Sequence, residues 1–510
     1  MFSVVNFKSV AGLTRLDWTI LTIAVLLRIW GLDWKPAHFD EGINGWFVDQ
    51  MKHLGYYNYD PHHYHGPLHF YVLFVSDALF GRNLWALRLP IALVSCLSVF
   101  WMLKYRDFFG QRTSQIAALA LAVSPAMVFY GRYSIHEAWQ VWFNVMLVWG
   151  VLGLWAVGER RHLFAVIAGF TGLILTKETY VIHAGCILLA FGALRLWELI
   201  VPSSPAQPWA KPQWTTLDLA KGGAVAGIVL LFFYSGNFLN PTGVSGLWLT
   251  FGEWFGQTVS EPKHTKAWDY WLELMAHYEW PALAGLVCGF VFLWPTREPV
   301  RFLAILGAGV LAAYTLIPYK TPWCLISILW PFYFVLAAAL EEARGRAQPV
   351  AILLAGLLIG YSAYLSAGLN FIRFVDFKEP YIYVQTSPEI ARLTEPLLES
   401  ARRDPTYYDV SGAILLESYY PLPWTLGDFS RIGYFGAHET GEGKTDNWPL
   451  TLDQDFIVIE KDKVDEMLTR LRGDYLEREF ELRDGMKTCV AFFRRDKFPG
   501  LETIKKAEAP

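Results

Sequence analysis

Repeated apolar runs of about 20 residues constrain this chain more than any other feature, because a helix needs roughly that length to cross the hydrocarbon core of a bilayer. The runs lie near residues 18–32, 84–103, 113–131, 138–157, 162–177, 179–199, 222–239, 280–296, 300–318, 323–341 and 348–368. Lipid offers no partner to a backbone N–H or C=O, so segments of this kind fold as helices. Composition agrees: 54% of the residues are hydrophobic and 16% aromatic, too apolar for an ordinary water-soluble chain. The net charge is only −4, so no global field favours nucleic acid. The five cysteines are scattered, with neither a disulfide framework nor metal-ligand spacing.

Loop charge sets the expected topology. Residues 67–80 are apolar but only about 14 long and carry Asp77, which suits a juxtamembrane or re-entrant helix better than a span. With that segment left out and the N-terminus inside, the loops at 104–112, 159–161, 195–221, 297–301 and 344–346 share one side. They hold most of the Lys and Arg of the short loops, as the positive-inside rule requires. The expected fold is a polytopic α-helical membrane protein with about 11 transmembrane helices. Juxtamembrane helices occupy its first outer loop, residues 33–83, and the membrane domain covers residues 1–370 of a protein integral to the cytoplasmic membrane.

Beyond residue 370 the sequence turns polar, and residues 371–510 read as a small α/β domain, outside by the parity of the spans. Residues 387–403 predict a helix with Ile390, Leu393, Leu397 and Leu398 on one side. Ala413–Leu416 and Phe456–Ile459 predict strands, and Asp484-Gly485 between two alternating runs predicts a hairpin. Residues 201–215 read as a Pro-rich inner linker, and the tryptophans of residues 240–277 as an interfacial belt.

The same topology gathers ionisable groups on the outer side: Asp40, Glu41, His62, His63, His65, Arg132, Tyr133, His136, Glu137, Lys177, Glu178, Tyr180 and Lys320. Convergence from distant loops points to a site. Asp40 and Glu41 open an amphipathic stretch whose apolar face is Ile43, Trp46, Phe47, Met51 and Leu54. The plainer reading of the pair is a helix N-cap, and that of Arg132 and Lys177 is snorkelling at span ends. Cations are under-used on the outer side, which favours a site for those two.

Four stretches resemble the GT-C membrane glycosyltransferases, and among them glycosyltransferase family 39, with its protein O-mannosyltransferases and aminoarabinose transferases. They are Phe39-Asp40-Glu41, His65-Gly66-Pro67-Leu68, Gly81 through Ala86-Leu87-Arg88-Leu89-Pro90, and Gly172 through Thr176-Lys177. Within the group the chain looks most like the flippase-activity-associated membrane proteins, where Phe-Asp-Glu-Gly, His-Gly-Pro-Leu and Pro-Tyr-Lys-Thr-Pro-Trp (here Pro318 to Trp323) recur. Gly66 stands where the wider group often has the first proline of His-Pro-Pro-Leu. The likeness covers roughly the first 370 residues.

The resemblance implies a GT-C fold and an inverting glycosyltransferase. Such enzymes take a sugar from a polyprenyl-phosphate carrier at the outer face of the membrane lipid. It also implies a carboxylate of the first outer loop, Asp40, as general base on the acceptor hydroxyl, with Glu41 beside it. The leaving phosphate requires cations, for which Arg132, Lys177, His65 and Lys320 are the candidates. Tyr133, His136, Glu137, Glu178 and Tyr180 are then candidates for the sugar or the acceptor, which could be protein, glycan or lipid. No cofactor is required. His62, His63, His65, His69 and His136 match no closed zinc motif, so a divalent cation is the less favoured alternative. The rival class is a non-catalytic membrane partner in lipid-linked oligosaccharide flipping or assembly.

Overall fold

The computed structural model describes residues 12–501 except 64, 202–207, 261–263, 293–296, 344, 346, 436–447 and 484. Asp484, Arg344, Arg346 and part of the Pro-rich linker therefore lie outside the described residues. Contacts divide the chain into two compact units. The first holds residues 1–32, 51–374 and 379–381, and the second holds 33–50, 375–378 and 382–510.

The first unit is helical. Among the described residues, seven helices are long and apolar enough to cross a membrane: Leu84–Phe109, Glu137–Ala156, Tyr180–Ile200, Thr216–Tyr234, Glu298–Leu316, Pro322–Glu342 and Ala347–Phe371. The other expected spans coincide with shorter helices, among them Arg15–Ile29, Arg160–Ile174 and Trp280–Phe292. The segment at 67–80 forms the 13-residue helix Leu68–Phe80.

One expected span is two helices. Residues 113–131 fold as Gln111–Val123 and Pro125–Tyr130, broken at Ser124. Pro125 has no N–H to continue the ladder, and the Ser124 hydroxyl accepts from the Met127 N–H at 3.2 Å as a new N-cap. The break leaves carbonyls without partners at the end of the first helix. Buried Arg28 supplies donors, with Nη1 to Ala122 O at 2.9 Å and Nη2 to Leu121 O at 3.3 Å. On the other side of the break, buried Glu279 accepts from the Ala126 N–H at 2.7 Å and the Ser124 hydroxyl at 2.9 Å. A cation thus sits at a helix C-terminus and an anion at a helix N-terminus, the signs that both dipoles favour.

The second unit is built on a five-stranded sheet of order β2-β1-β3-β5-β4, with β1 Ser411–Leu415, β2 Arg431–Tyr434, β3 Phe456–Glu460, β4 Tyr475–Glu481 and β5 Thr488–Arg494. β1 runs parallel to β2 and β3, whereas β5 is antiparallel to β3 and β4, the latter pair forming the expected hairpin. Both faces of the sheet are covered. Ile414, Val458, Ala491 and Phe493 meet Leu393 and Leu397 of the helix Ala391–Arg403, while Ala413, Ile457, Val490 and Phe492 meet Trp448 and Met467. Burial on both faces is why β1 and β3 read as unbroken apolar runs in the sequence.

Residues 33–50 fold with this unit, although sequence places the whole of 33–83 with the membrane domain. The attachment is local packing. An added Cβ at Gly42 would lie 2.4 Å from Pro421 Cα, and one at Gly45 would lie 2.2 Å from the Trp424 ring. Glycine at these two positions of the helix Phe39–Leu54 lets it approach residues 421–424 closely.

Candidate functional site

In the second unit, the two adjacent carboxylates do different things. Glu41 is fully buried and its carboxylate accepts from the His38 N–H at 2.9 Å. His38 Nδ1 in turn accepts from the Asp40 N–H at 3.1 Å. Together they satisfy orphan donors at the start of the helix Phe39–Leu54, in the manner of a capping box. The cap foreseen for the pair is therefore made by Glu41 and His38. The Asp40 side chain keeps 33% of its surface, with an oxygen 3.9 Å from His38 Nδ1. His38 is itself held through Nε2 to the Tyr383 carbonyl at 2.8 Å.

In the first unit, the predicted residues of three separate loops meet. Gly66 N–H donates to Thr176 O at 3.0 Å and Leu68 N–H to Leu175 O at 3.1 Å, pairing the His-Gly-Pro-Leu stretch with the Leu-Thr-Lys stretch. A Cβ at Gly66 would fall 2.2 Å from the Leu175 carbonyl oxygen. A proline here would lose the N–H that makes the pairing.

This pairing brings His65 beside Glu178, Nδ1 to Oε2 at 3.1 Å, with the Glu178 side chain 1% exposed. Its neighbour Lys177 forms an ion pair with Glu137, both almost wholly buried. Burial works against the Lys177 ammonium, but Glu137, Cys324 and Glu178 outweigh it and hold the pKa well above that of an ordinary lysine. The His136 ring lies 4.7 Å from that of His65 and 4.3 Å from that of His69. Burial, then His69, His65 and Lys177, push its pKa well below the usual value and keep it neutral.

Other predicted residues are placed differently. Arg132 donates to Leu27 O at 3.0 Å, Trp30 O at 2.6 Å and Gly31 O at 2.7 Å, closing the end of the helix Arg15–Ile29. Its guanidinium also covers the Phe371 ring at 5.0 Å. Tyr133 is buried against Phe129 and Tyr130. Lys320 is buried, with Nζ to the Lys266 carbonyl at 3.3 Å, and burial pushes its pKa down. Tyr180 opens its helix and meets Phe170 and Phe251 edge-on. Among the described residues, no group of three or more His, Cys, Asp or Glu is arranged to hold a metal ion.

The sequence reading missed a polar chain that runs from this cluster into the helices. Gln140 donates to Thr179 at 2.6 Å, and Asn144 pairs with His183 at 2.8 Å. Among the described residues, His136 Nε2, Gln140 Oε1 and Asn144 Oδ1 are buried without a hydrogen-bond partner. Positions 136, 140 and 144 are spaced i, i+4 on an apolar helix, a signal that was readable.

Residues 64–204 match the family described as dolichyl-phosphate-mannose-protein mannosyltransferase. An undecaprenyl phosphate-α-4-amino-4-deoxy-L-arabinose arabinosyl transferase of Pseudomonas fluorescens is 26% identical over 57% of this chain and 52% of its own length. The chain therefore spans about half the length of the curated relatives it matches. The fold is similar to that of ArnT from Cupriavidus metallidurans bound to undecaprenyl phosphate, with a TM-score of 0.63 and 15% identity over 94% of this chain and 98% of that one. The Archaeoglobus fulgidus oligosaccharyltransferase shares it at a TM-score of 0.52 and 13% identity, over 92% of this chain and 74% of that one. This chain is a polytopic membrane protein of the GT-C fold, similar to glycosyltransferase family 39.

Proposed function

We propose that this protein is an inverting glycosyltransferase that moves a sugar from a polyprenyl-phosphate carrier to an acceptor hydroxyl. One coincidence carries the reading. The match to the mannosyltransferase family covers His65, Glu137, Lys177 and Glu178, the groups that meet in the buried cluster. The names of the curated relatives supply the carrier class, an undecaprenyl phosphate.

In the proposed step Asp40 takes the proton of the acceptor hydroxyl as its oxygen attacks the anomeric carbon. The bond from that carbon to the phosphate oxygen breaks on the opposite face, and its electron pair leaves with the polyprenyl phosphate. Asp40 suits the role better than Glu41, whose carboxylate is engaged by backbone. Lys177, with His65 and Lys320, offsets the charge that grows on the leaving phosphate. Arg132, whose Nη1 and Nη2 also hold helix-end carbonyls, is the remaining candidate for the phosphate. Tyr133, His136, Glu137, Glu178 and Tyr180 are the candidates for holding sugar and acceptor. About eleven spans would put the first outer loop and the C-terminal domain on the extracytoplasmic side.

The test is sugar transfer by purified protein, read by mass spectrometry with a panel of undecaprenyl-phosphate monosaccharides and candidate acceptors. Wild type transfers, and folded Asp40→Asn loses about 100-fold or more of turnover while still binding the carrier. An equally active Asp40→Asn would remove the base assignment. Absence of any carrier binding would favour the non-catalytic partner.

A further inference from the structure

We infer that Arg483, on the C-terminal sheet unit, is a positioning residue for Asp40, and that this unit exists in part to set that carboxylate. The inference rests on the reading of Asp40 as the base.

The geometry lies within the second unit. The Arg483 guanidinium stacks over the Phe39 ring, Cζ 4.5 Å from its centroid, one residue before Asp40. Its Nη2 donates to the carbonyl and the hydroxyl of Ser418, which fixes the plane of the group. Residue 483 is anchored by an antiparallel bridge to Thr386, and Gln385 donates to the Pro36 carbonyl at 3.1 Å. The segment carrying Asp40 is therefore gripped by the residues that hold the arginine.

Stability alone does not explain this arginine. It is 5% exposed, and its buried Nε has no hydrogen-bond partner among the described residues, an expensive state for a charged group. Burial pushes its pKa down to about 10, while Asp40 and Cys489 pull the other way. It also faces the start of a helix, the end at which the dipole disfavours a cation. A charge retained against desolvation and dipole, one residue from an incompletely buried carboxylate, is what a positioning role for that carboxylate would require.

Among the described residues, the titratable groups that interact with Asp40 include His38, Tyr383 and Arg483, and Glu41 is its neighbour in the chain. Of these Arg483 carries the permanent positive charge, and it reaches Asp40 through the field and through Phe39, the residue before it.

A double-mutant cycle on the full chain tests this. Hydrogen exchange at the amides of residues 40–42 is measured in wild type, Arg483→Gln, Asp40→Asn and the double variant, with residues 456–460 of the sheet as the folding control. Arg483→Gln is expected to speed exchange at 40–42 about fivefold in wild type and to have little effect in the Asp40→Asn background. An equal effect in both backgrounds, or none, overturns the inference, because packing on Phe39 would then be the whole role. Where the transfer assay gives turnover, Arg483→Gln lowers kcat about tenfold with the carrier KM unchanged, and Arg483→Lys recovers part of it. A kcat unchanged by Arg483→Gln also overturns the inference. If no sugar is transferred by any form, the function reading fails and the exchange cycle alone decides the coupling.

Discussion

Around Ser124-Pro125 the helical unit buries an arginine and a glutamate whose polar atoms face backbone and hydroxyl groups, whereas around Lys177 it buries charges that face one another. Each nitrogen of the Arg28 guanidinium has an acceptor, and each oxygen of Glu279 has a donor. Around Lys177 a close ion pair sits beside buried nitrogen and oxygen atoms with no partner at His136 and Gln140. The first pattern repairs a broken helix and is complete in itself. The second sets charge against charge, beside polar atoms that no described residue pairs. Burial of charge does not by itself mark function; what the charge faces does.

This comparison breaks most sharply at Lys177. Removing the ammonium alone, as in Lys177→Met, leaves Glu137 buried and unpaired and is expected to destabilise by about 3–5 kcal/mol. Adding Glu137→Leu should recover most of that stability, because an apolar pair can replace a buried ion pair at little loss. Turnover of the folded double variant should stay down by about 100-fold if Lys177 is the cation proposed for the leaving phosphate. Stability curves in detergent and transfer assays on the same preparations separate the two. Recovery of turnover along with stability would make the pair structural, like Arg28 and Glu279.

At the helix break the opposite result is expected. Glu279→Leu strands the Ser124 hydroxyl, the Ala126 N–H and the Tyr333 hydroxyl, which together should lower stability by about 3 kcal/mol. Turnover per folded molecule should hold within about twofold at a temperature well below the midpoint. A large loss of kcat in a folded Glu279→Leu would erase the distinction between the regions.

Sequence showed the spans well, because an apolar run of bilayer length has few other uses. The residues at 84–103 and the helix Leu84–Lys104 nearly coincide, as do 138–157 and Glu137–Ala156. It also showed the helix at Ala391–Arg403, whose apolar side is periodic, and the β4–β5 hairpin. What it hid depended on contacts distant along the chain. His38 meets Tyr383 across 345 positions, and no local pattern announces that residues 33–50 fold with the C-terminal unit. Arg132 at a span end gives no sign in sequence that it holds the carbonyls of Leu27, Trp30 and Gly31. Glu279 stands one residue before an apolar helix and carries no motif. Gly66 was visible as a departure, but its N–H facing Thr176 was not.

The smallest expected effect concerns acid. His136 is held neutral in the folded protein by burial and by His69, His65 and Lys177, so its folded pKa lies well below the ordinary 6.5. An unfolded chain would protonate that imidazole near its usual value, and from there downward the unfolded state binds the extra proton. The neutral ring's contribution is therefore full above about pH 6.5 and declines as pH falls toward the folded value, by no more than about 1.4 kcal/mol per pH unit. Lys177 has the opposite shift, and its contribution is lost only at alkaline pH, so it adds no slope between pH 5 and 7. Thermal midpoints of wild type should thus drop by a few degrees more than those of His136→Gln over that interval. Glu279→Leu should leave the difference intact, because the groups that hold His136 neutral are His69, His65 and Lys177. Equal slopes in wild type and His136→Gln would mean that the ring takes its proton in place, and the cluster around Lys177 would then be wetter than its burial implies.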